Sequence, residues 1–159
     1  MTEKMNRRFS WLEISVKSNN MDSIHLDIVT PERAAYSQDV HFVSVPTPNG
    51  TIGILPKHTG LISMLVEGEI KIEASGKETY LAIGGGFMEV TKDHILILVS
   101  RAYHADELNE AEIKKAQLSA KEALSQKGKA ADYAAAQAIL RRSTIELHVL
   151  RRKKPKLTT

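Results

Sequence analysis

Short segments in which apolar and polar residues alternate fill residues 23–100. In the first of them Ile24, Leu26 and Ile28 fall on one face, and the residues between them are polar. A period of two is typical of a β-strand with one buried face. Turn-forming sequences separate the segments at Pro48-Asn49-Gly50, Ser75-Gly76-Lys77 and Lys92-Asp93. This spacing predicts an all-β sandwich, and Asn49-Gly50 predicts a type I′ hairpin turn.

Two of the strand segments make specific predictions about burial. Every residue from Ile95 to Val99 is apolar, so this strand is expected to be buried on both faces. Glu67, Glu69 and Glu73 occupy alternate positions next to apolar residues, which predicts a face of the sandwich exposed to water.

The composition changes after about His104 to alanine, lysine, glutamate and glutamine. The apolar faces of two helices are Ile113, Ala116, Ala120, Ala123 and Leu124 for the first, and Tyr133, Ala136, Leu140 and Leu147 for the second. A break is predicted at residues 125–130, which include Gly128, and Asp132 is the expected N-cap of the second helix. Alanine buries little apolar area, so we expect this helical hairpin to detach easily from the sandwich.

The domain organisation follows from these patterns. Residues 21–104 form the sandwich, residues 105–150 the hairpin and residues 151–159 a basic tail. Residues 1–20 are an N-terminal extension, or translation begins at Met21. Residues 1–104 hold 10 lysines and arginines against 12 acidic residues, and residues 105–159 hold 12 against 7. The basic C-terminal third indicates an acidic partner, or a solvated cationic helix surface.

Two glycine-containing segments carry the most specific signal. They are Gly50-Thr51-Ile52-Gly53-Ile54-Leu55-Pro56-Lys57-His58 and Gly84-Gly85-Gly86-Phe87-Met88-Glu89-Val90. A glycine inside a strand marks a bulge or the close approach of another backbone, and Pro56 should end its strand. Together the segments resemble the signature of the epsilon subunit of the F-type ATP synthase. The signature residues here are Gly53, Pro56, Gly85, Gly86, Phe87 and Glu89, and residues 23–32, 40–46 and 132–134 also resemble that family.

The resemblance implies a β-sandwich followed by a C-terminal helical hairpin, and a non-catalytic rotor subunit that couples proton-driven rotation to ATP synthesis. It implies three partners: the gamma subunit, the membrane c-ring and the catalytic αβ head. The protein would then meet the membrane only through the complex, at the cytoplasmic face of the plasma membrane. Gly50, Thr51 and His58 would face the c-ring. The family has a glutamate where this chain has Thr51, so a charged contact is not expected there.

The same resemblance gives the C-terminal helices a second role, the inhibition of ATP hydrolysis through acidic loops of the β subunits. The candidate contacts are Arg141, Arg142, Arg151 and Arg152. Many relatives also carry a nucleotide-binding pattern at the start of the first C-terminal helix, where this chain has Leu108, Asn109 and Glu112, with Arg142 as a further candidate. Because a glutamate cannot pair with a phosphate, we predict an inactive site without ATP. Asn109 and Glu112 suit a capping box instead.

The sequence offers no catalytic constellation. It has no cysteine and no phosphate-binding loop, its six histidines show no metal-ligand spacing, and so no metal or cofactor is predicted. Two other functions remain open. One is a generic sandwich module that binds a protein or sugar, which predicts an exposed aromatic patch. The other is nucleic-acid binding through the basic tail, although no aromatics are interleaved there for base stacking, and we predict no nucleic-acid partner.

Overall fold

The computed structural model of the protein describes residues 22–125 and 130–153. Ten strands form two five-stranded sheets, and two helices follow them. Sheet A has the order β2–β1–β9–β8–β5, with β1 Ile24–Val29, β2 Ala34–Val40, β5 Leu61–Leu65, β8 Gly86–Val90 and β9 His94–Val99. Sheet B has the order β10–β7–β6–β3–β4, with β3 Phe42–Thr47, β4 Gly50–Ile54, β6 Gly68–Ala74, β7 Lys77–Ile83 and β10 Ala102–His104. The predicted sandwich is confirmed.

The strands pair antiparallel with one exception. Strand β1 runs parallel to β9, with His25 opposite His94 and Ile28 opposite Ile97. The inward residues of both sheets then form one apolar core, because alternate side chains of each strand point to the same face. The largest fully buried core residues are Ile24, Leu26, Ile28, Ile54, Leu65, Ile70, Ile72, Leu81, Ile83, Met88, Ile95 and Ile97.

The turn chemistry differs from the prediction in one place. Gly50 has a φ of 117°, but Asn49 is not among the described residues with positive φ. Pro48 fixes a negative φ at the first turn position, so the predicted type I′ turn at Asn49-Gly50 is wrong. Positive φ at two successive residues, as a type I′ turn requires, occurs instead at Ser75 and Gly76 between β6 and β7.

The helical part begins with a short 3-10 helix, Ala105–Glu107, followed by α1 Glu110–Ser125 and α2 Ala130–Lys153. Asn109 caps α1, because its Oδ1 accepts a bond from the Ala111 N–H at 3.0 Å. The prediction that Asp132 is an N-cap is wrong, since α2 already includes it in its first turn. The predicted break falls mostly on residues 126–129, outside the described residues, as do the extension 1–20 and residues 154–159 of the tail.

Candidate docking surfaces on the two faces of the sandwich

The outer face of sheet A carries four large apolar side chains in solvent, which we call the apolar patch. They are Ile62 (77% exposed), Met64 (56%), Phe87 (58%) and Leu98 (49%). Strand register makes them neighbours: Leu98 pairs with Phe87, and Phe87 pairs with Met64. Side chains that stand opposite each other on one face of a sheet are in contact distance. The four residues therefore form a contiguous surface.

The patch overturns one prediction from the sequence. Strand β9 is not buried on both faces, because Leu98 is half exposed and Leu96 only partly buried, whereas Ile95, Ile97 and Val99 are in the core. No helix covers this side of the sheet in the described part of the chain. A contiguous apolar surface on a folded protein is typical of an interaction site. Sequence reasoning missed Ile62, Met64 and Leu98, although consecutive apolar residues in β5 and β9 were the available signal.

Titratable side chains occupy the other end of the same face, in what we call the histidine–aspartate cluster of His25, Asp27, Asp39 and His94. His25 Nδ1 lies 2.7 Å from Asp39 Oδ1, and His94 Nε2 lies 3.4 Å from Asp27 Oδ2. The ring centroids of the two histidines are 5.6 Å apart. The hydrogen bond to Asp39 is the main reason why the pKa of His25 is raised.

Helix α2 covers the outer face of sheet B. It contacts β6 and β7, and it buries Ala82, whose side chain would otherwise face solvent. Among residues 132–152, for which burial is described, the helix contributes four buried residues of its own: Ala136, Ser143, Glu146 and Val149. Tyr133 was predicted on this buried face, but it is half exposed. Leucine and alanine spacing does not reveal Ser143 and Glu146, because their burial depends on what lies opposite them.

Two arginines of α2 hold the helix on the sheet. The Arg142 guanidinium lies 5.7 Å from the ring centroid of Tyr103, and its Nε donates to Glu146 Oε1 at 2.7 Å. The hydrogen bond to Glu146 raises the pKa of Arg142. Further along the same helix, the Arg152 guanidinium lies 5.4 Å from the ring centroid of Tyr80. Each arginine therefore joins a cation–π contact to a carboxylate contact.

The glutamates of β6 and the loop before it take part in the same contact. Arg152 Nη2 donates to Glu69 Oε1 at 3.5 Å, and His148 Nε2 lies 3.6 Å from Glu69 Oε2. Glu67 binds Arg101, and burial is the main cause that lowers the pKa of Arg101. The predicted water-exposed face is therefore wrong for Glu67 and Glu69, because α2 packs over them. Glu73, which pairs with Lys71 at 2.6 Å, is more open.

The four arginines predicted to reach an acidic partner divide into two sets. Arg142 and Arg152 contact the sandwich, as described above. Arg141 and Arg151 are exposed. Arg151 and Arg152 also lie on α2 rather than in a tail, because the helix continues to Lys153. In the arrangement seen here, half of the predicted set is occupied within the chain.

The residues of the first glycine segment lie along β4, which is a free edge of sheet B. Gly50 and Thr51 are exposed at its start, and His58 lies in the loop beyond its end, where its Nδ1 is 2.7 Å from the Thr59 carbonyl. Strands rise about 3.3 Å per residue, so these three residues are spread along the edge instead of meeting at one point. Pro56 follows the strand and ends it, as predicted.

The second glycine segment is explained by close packing. A Cβ on Gly86 would collide with the backbone of Leu98 and Val99 in the neighbouring strand. Gly53 is restricted by a side chain, since a Cβ there would be 2.7 Å from Phe42. Gly85, by contrast, is exposed and less crowded. Phe87 and Glu89 point outward from β8 on the face of the apolar patch.

The degenerate nucleotide pattern serves the start of α1. Asn109 is the helix cap, and Glu112 is exposed with its backbone N–H 3.4 Å from Asn109 Oδ1. Leu108 lies just before the cap and is partly buried. Arg142 is engaged with Glu146 and Tyr103. These contacts give Asn109 and Arg142 structural roles, and the absence of ATP binding stays a prediction.

Metal binding and membrane crossing are two further possibilities for the part of the chain that the structure describes. Within residues 22–125 and 130–153, no group of histidine and carboxylate side chains is arranged to hold a metal ion. No helix in that part of the chain is both long enough and apolar enough to cross a membrane.

The comparisons with known proteins agree with the architecture. The family model for the ATP synthase delta/epsilon chain β-sandwich domain matches residues 23–105. The ATP synthase epsilon chain of Herpetosiphon aurantiacus is 40% identical over 126 residues, which cover 79% of this chain and 93% of the relative. The ATP synthase epsilon chain of Chloroflexus aggregans is 41% identical over 126 residues, which cover 79% of this chain and 91% of the relative.

Among solved structures, a chain of the mitochondrial ATP synthase of Euglena gracilis, determined with OSCP, F1 and the c-ring, superimposes with a TM-score of 0.61. It is 22% identical, and the match covers 86% of this chain and 83% of that one. A chain of the central stalk and c-ring of the Tetrahymena thermophila mitochondrial enzyme gives a TM-score of 0.53 at 15% identity, covering 81% and 97%. At these identities the likeness shows the fold.

Proposed function

Because the chain belongs to the ATP synthase epsilon chain family, we propose that it is a non-catalytic rotor subunit of an F-type ATP synthase. In this role the sandwich binds the gamma subunit and rests on the c-ring, and it couples rotation to ATP synthesis in the αβ head. The protein is then peripheral to the membrane, at the cytoplasmic face of the plasma membrane. The apolar patch is the observation that best supports a protein-binding role.

The gamma subunit is the partner we assign to the apolar patch. Sheet B already has its outer face covered by α2, whereas no element within residues 22–125 and 130–153 covers Ile62, Met64, Phe87 and Leu98 of sheet A. Burying such side chains against a partner gains about 25 cal/mol per Å² of apolar surface, and large apolar and aromatic residues dominate binding energy at interface centres. The patch can therefore supply much of the free energy that keeps a rotor subunit attached.

A matched pair of substitutions tests this assignment. Leu98→Glu places a charge in the patch, and Leu118→Glu places the same charge on α1 at a leucine of similar exposure (58%). We expect Leu98→Glu to weaken binding to an αβ head with its gamma subunit by at least tenfold, and Leu118→Glu to leave it unchanged. Equal affinities would overturn the assignment. A change in self-association with unaltered head binding would show that the patch joins two copies of the chain.

For the c-ring we propose a contact along the β4 edge, from Gly50 and Thr51 to His58. A flat partner can touch both ends of an edge strand, which suits the spread of these residues. The chain has no cysteine, so Thr51→Cys and His58→Cys introduce single crosslinking sites. Both should crosslink to the c subunit in the membrane complex, and Gln38→Cys on β2, an edge strand of the other sheet, should not. Crosslinking from residue 38 alone would contradict the contact.

The helical hairpin is proposed to inhibit ATP hydrolysis when it leaves sheet B. Arg142 and Arg152 must release Tyr103 and Tyr80 before they can join Arg141 and Arg151 on an acidic partner. Truncation after Ala105 should raise hydrolysis by the assembled complex at low salt, where charge pairs are strongest. Unchanged hydrolysis would make the hairpin purely structural. We also expect calorimetry to detect no micromolar ATP binding by the isolated chain.

A further inference from the structure

The charges on the outer face of sheet A are all of one sign. None of its five strands contains a lysine or arginine, and their carboxylates are Asp27, Asp39 and Glu89. Each of these three residues lies at an outward position of its strand, because the alternate residues are in the core. Without protonated histidines the face therefore carries three negative charges beside an apolar surface.

Strand register arranges these groups in three parallel rows across the face. The apolar row consists of Leu98, Phe87 and Met64, and the middle row runs from Ser37 through Asp27, Leu96 and Glu89 to Ile62. The third row is Asp39, His25 and His94. Rows two residues apart on a strand are separated by about 7 Å, so Asp27 lies about 7 Å from the apolar row along the strands and Asp39 about 14 Å from it. A partner that covers the apolar row and continues across the face therefore meets Asp27 first and Asp39 beyond it.

We propose that the protein partner on the apolar patch carries lysine or arginine side chains that meet Asp27 and Asp39, and that His25 and His94 weaken this contact as the pH falls. This inference rests on the proposed function, since it describes the chemistry of the surface that docks there. Interfaces place complementary charges at the rim of an apolar centre, where they set specificity and association rate.

The histidines make the charge of the rim depend on pH. Protonated His25 satisfies Asp39 within the chain, at 2.7 Å, and lies 3.7 Å from Asp27. In the same state His94 pairs with Asp27. Each aspartate then has a cation of its own chain beside it. A basic side chain of the partner therefore gains less electrostatic free energy by pairing with that aspartate. Above the range in which histidines titrate, both carboxylates are left for the partner.

The strands of sheet A carry no lysine or arginine that could pair with Asp27 or Asp39 in place of the histidines. Ser37 Oγ lies 3.5 Å from His25 Nε2 and is neutral. Glu89 stands one strand beyond Leu96 and adds negative charge. In the turn that precedes β9, Lys92 and Asp93 carry opposite charges and are both exposed. The raised pKa of His25, caused mainly by Asp39, places its titration above that of an ordinary histidine.

Affinity measurements across pH test the inference with the full-length chain and an αβ head that contains the gamma subunit but lacks this chain. We expect binding to strengthen about threefold to tenfold between about pH 5.5 and about pH 8, with a dissociation constant that rises with salt. The double variant His25→Gln with His94→Gln should lose the pH dependence. Asp27→Asn with Asp39→Asn should bind more weakly at about pH 8 and show less salt dependence.

The control removes two carboxylates elsewhere. Glu112→Gln with Glu122→Gln changes the net charge equally on α1, where both residues are exposed, and it should bind like the unaltered chain. Binding with the same affinity at every pH, a pH dependence that survives both histidine substitutions, or equal effects of the two carboxylate pairs would overturn the inference alone. An absence of binding at every pH would overturn the proposed function, and the inference with it.

Discussion

The outer face of sheet B is covered by a helix of the same chain, whereas the outer face of sheet A carries its apolar residues in solvent. The strands of both sheets show the same alternation, and both contribute to one core. What differs is the second layer. On sheet B, α2 buries Ala82 and draws Glu69 into contact with Arg152. On sheet A, equivalent outward positions hold Phe87 and Leu98 in the open. Residues beneath α2 should therefore control stability, and residues of the bare face should control binding.

The largest effect expected from this comparison is on the stability of the packed face. Val149 of α2 is fully buried, so Val149→Ala removes two methyl groups and leaves a cavity. We expect the free energy of unfolding to fall by about 2 kcal/mol, because the hairpin then packs less well on the sandwich. Leu98→Ala removes more atoms from the exposed face, yet it should cost less than about 0.5 kcal/mol. Urea unfolding measures both, and a larger loss for Leu98→Ala would reverse the comparison.

A smaller effect is expected where the two arginines meet tyrosines. Tyr103→Leu and Tyr80→Leu keep apolar bulk but remove the ring faces under Arg142 and Arg152. Each should destabilise the docked helix by about 0.5–1 kcal/mol, seen as faster amide hydrogen exchange in α2.

The matched control for these variants is Tyr133→Leu. Tyr133 lies on the same helix but is half exposed, and hydrogen exchange in α2 should not respond to its loss. If all three variants accelerate exchange equally, the ring contacts contribute nothing particular to docking.

The smallest effect belongs to the bare face and depends on pH. Because its pKa is raised in the folded protein, His25 contributes stability below the unfolded value near pH 6.5. That contribution is lost as the pH rises through the raised value. The melting temperature of His25→Gln should thus fall further below that of the unaltered chain at about pH 5.5 than at about pH 8.

His58→Gln serves as the comparison for the pH effect. Its ring contacts a backbone carbonyl, not a carboxylate, so the deficit in melting temperature should not grow at acid pH. A deficit for His25→Gln that is the same at both pH values would contradict the role assigned to the Asp39 pair.

The sequence predicted the architecture well because strand alternation and glycine segments are local signals. Ile24, Leu26 and Ile28 are buried as expected, and Asn109 caps its helix. The errors have a common physical cause. Leu98 was predicted to be buried and Glu69 to be exposed, and both mistakes concern whether a distant element lies over an outward-facing position. Periodicity tells which face a residue is on, but it does not tell what covers that face.

The candidate site was less predictable for the same reason. The arginines of α2 are predicted as one set that contacts an acidic partner, but the sequence does not separate Arg142 and Arg152, which face the sandwich, from Arg141 and Arg151. That division follows from the rotation of α2 on sheet B. The histidine–aspartate cluster was missed because His25 and His94 become neighbours only through the pairing of β1 with β9. Nothing in the spacing of six scattered histidines signals that contact.

The parallel pairing of β1 with β9 also sets an order of events during synthesis on the ribosome. Strand β3 pairs with β4, and β6 with β7, across short turns, and the β3–β6 pairing also precedes β9 in the chain, so most of sheet B can assemble as it emerges. Strand β1 has only β2 beside it until β9, the last long strand, has been translated. Contacts between distant parts of a chain form slowly. The hydrogen-bonding edge of β1 that pairs with β9 therefore stays open in the nascent chain until the sandwich is nearly complete.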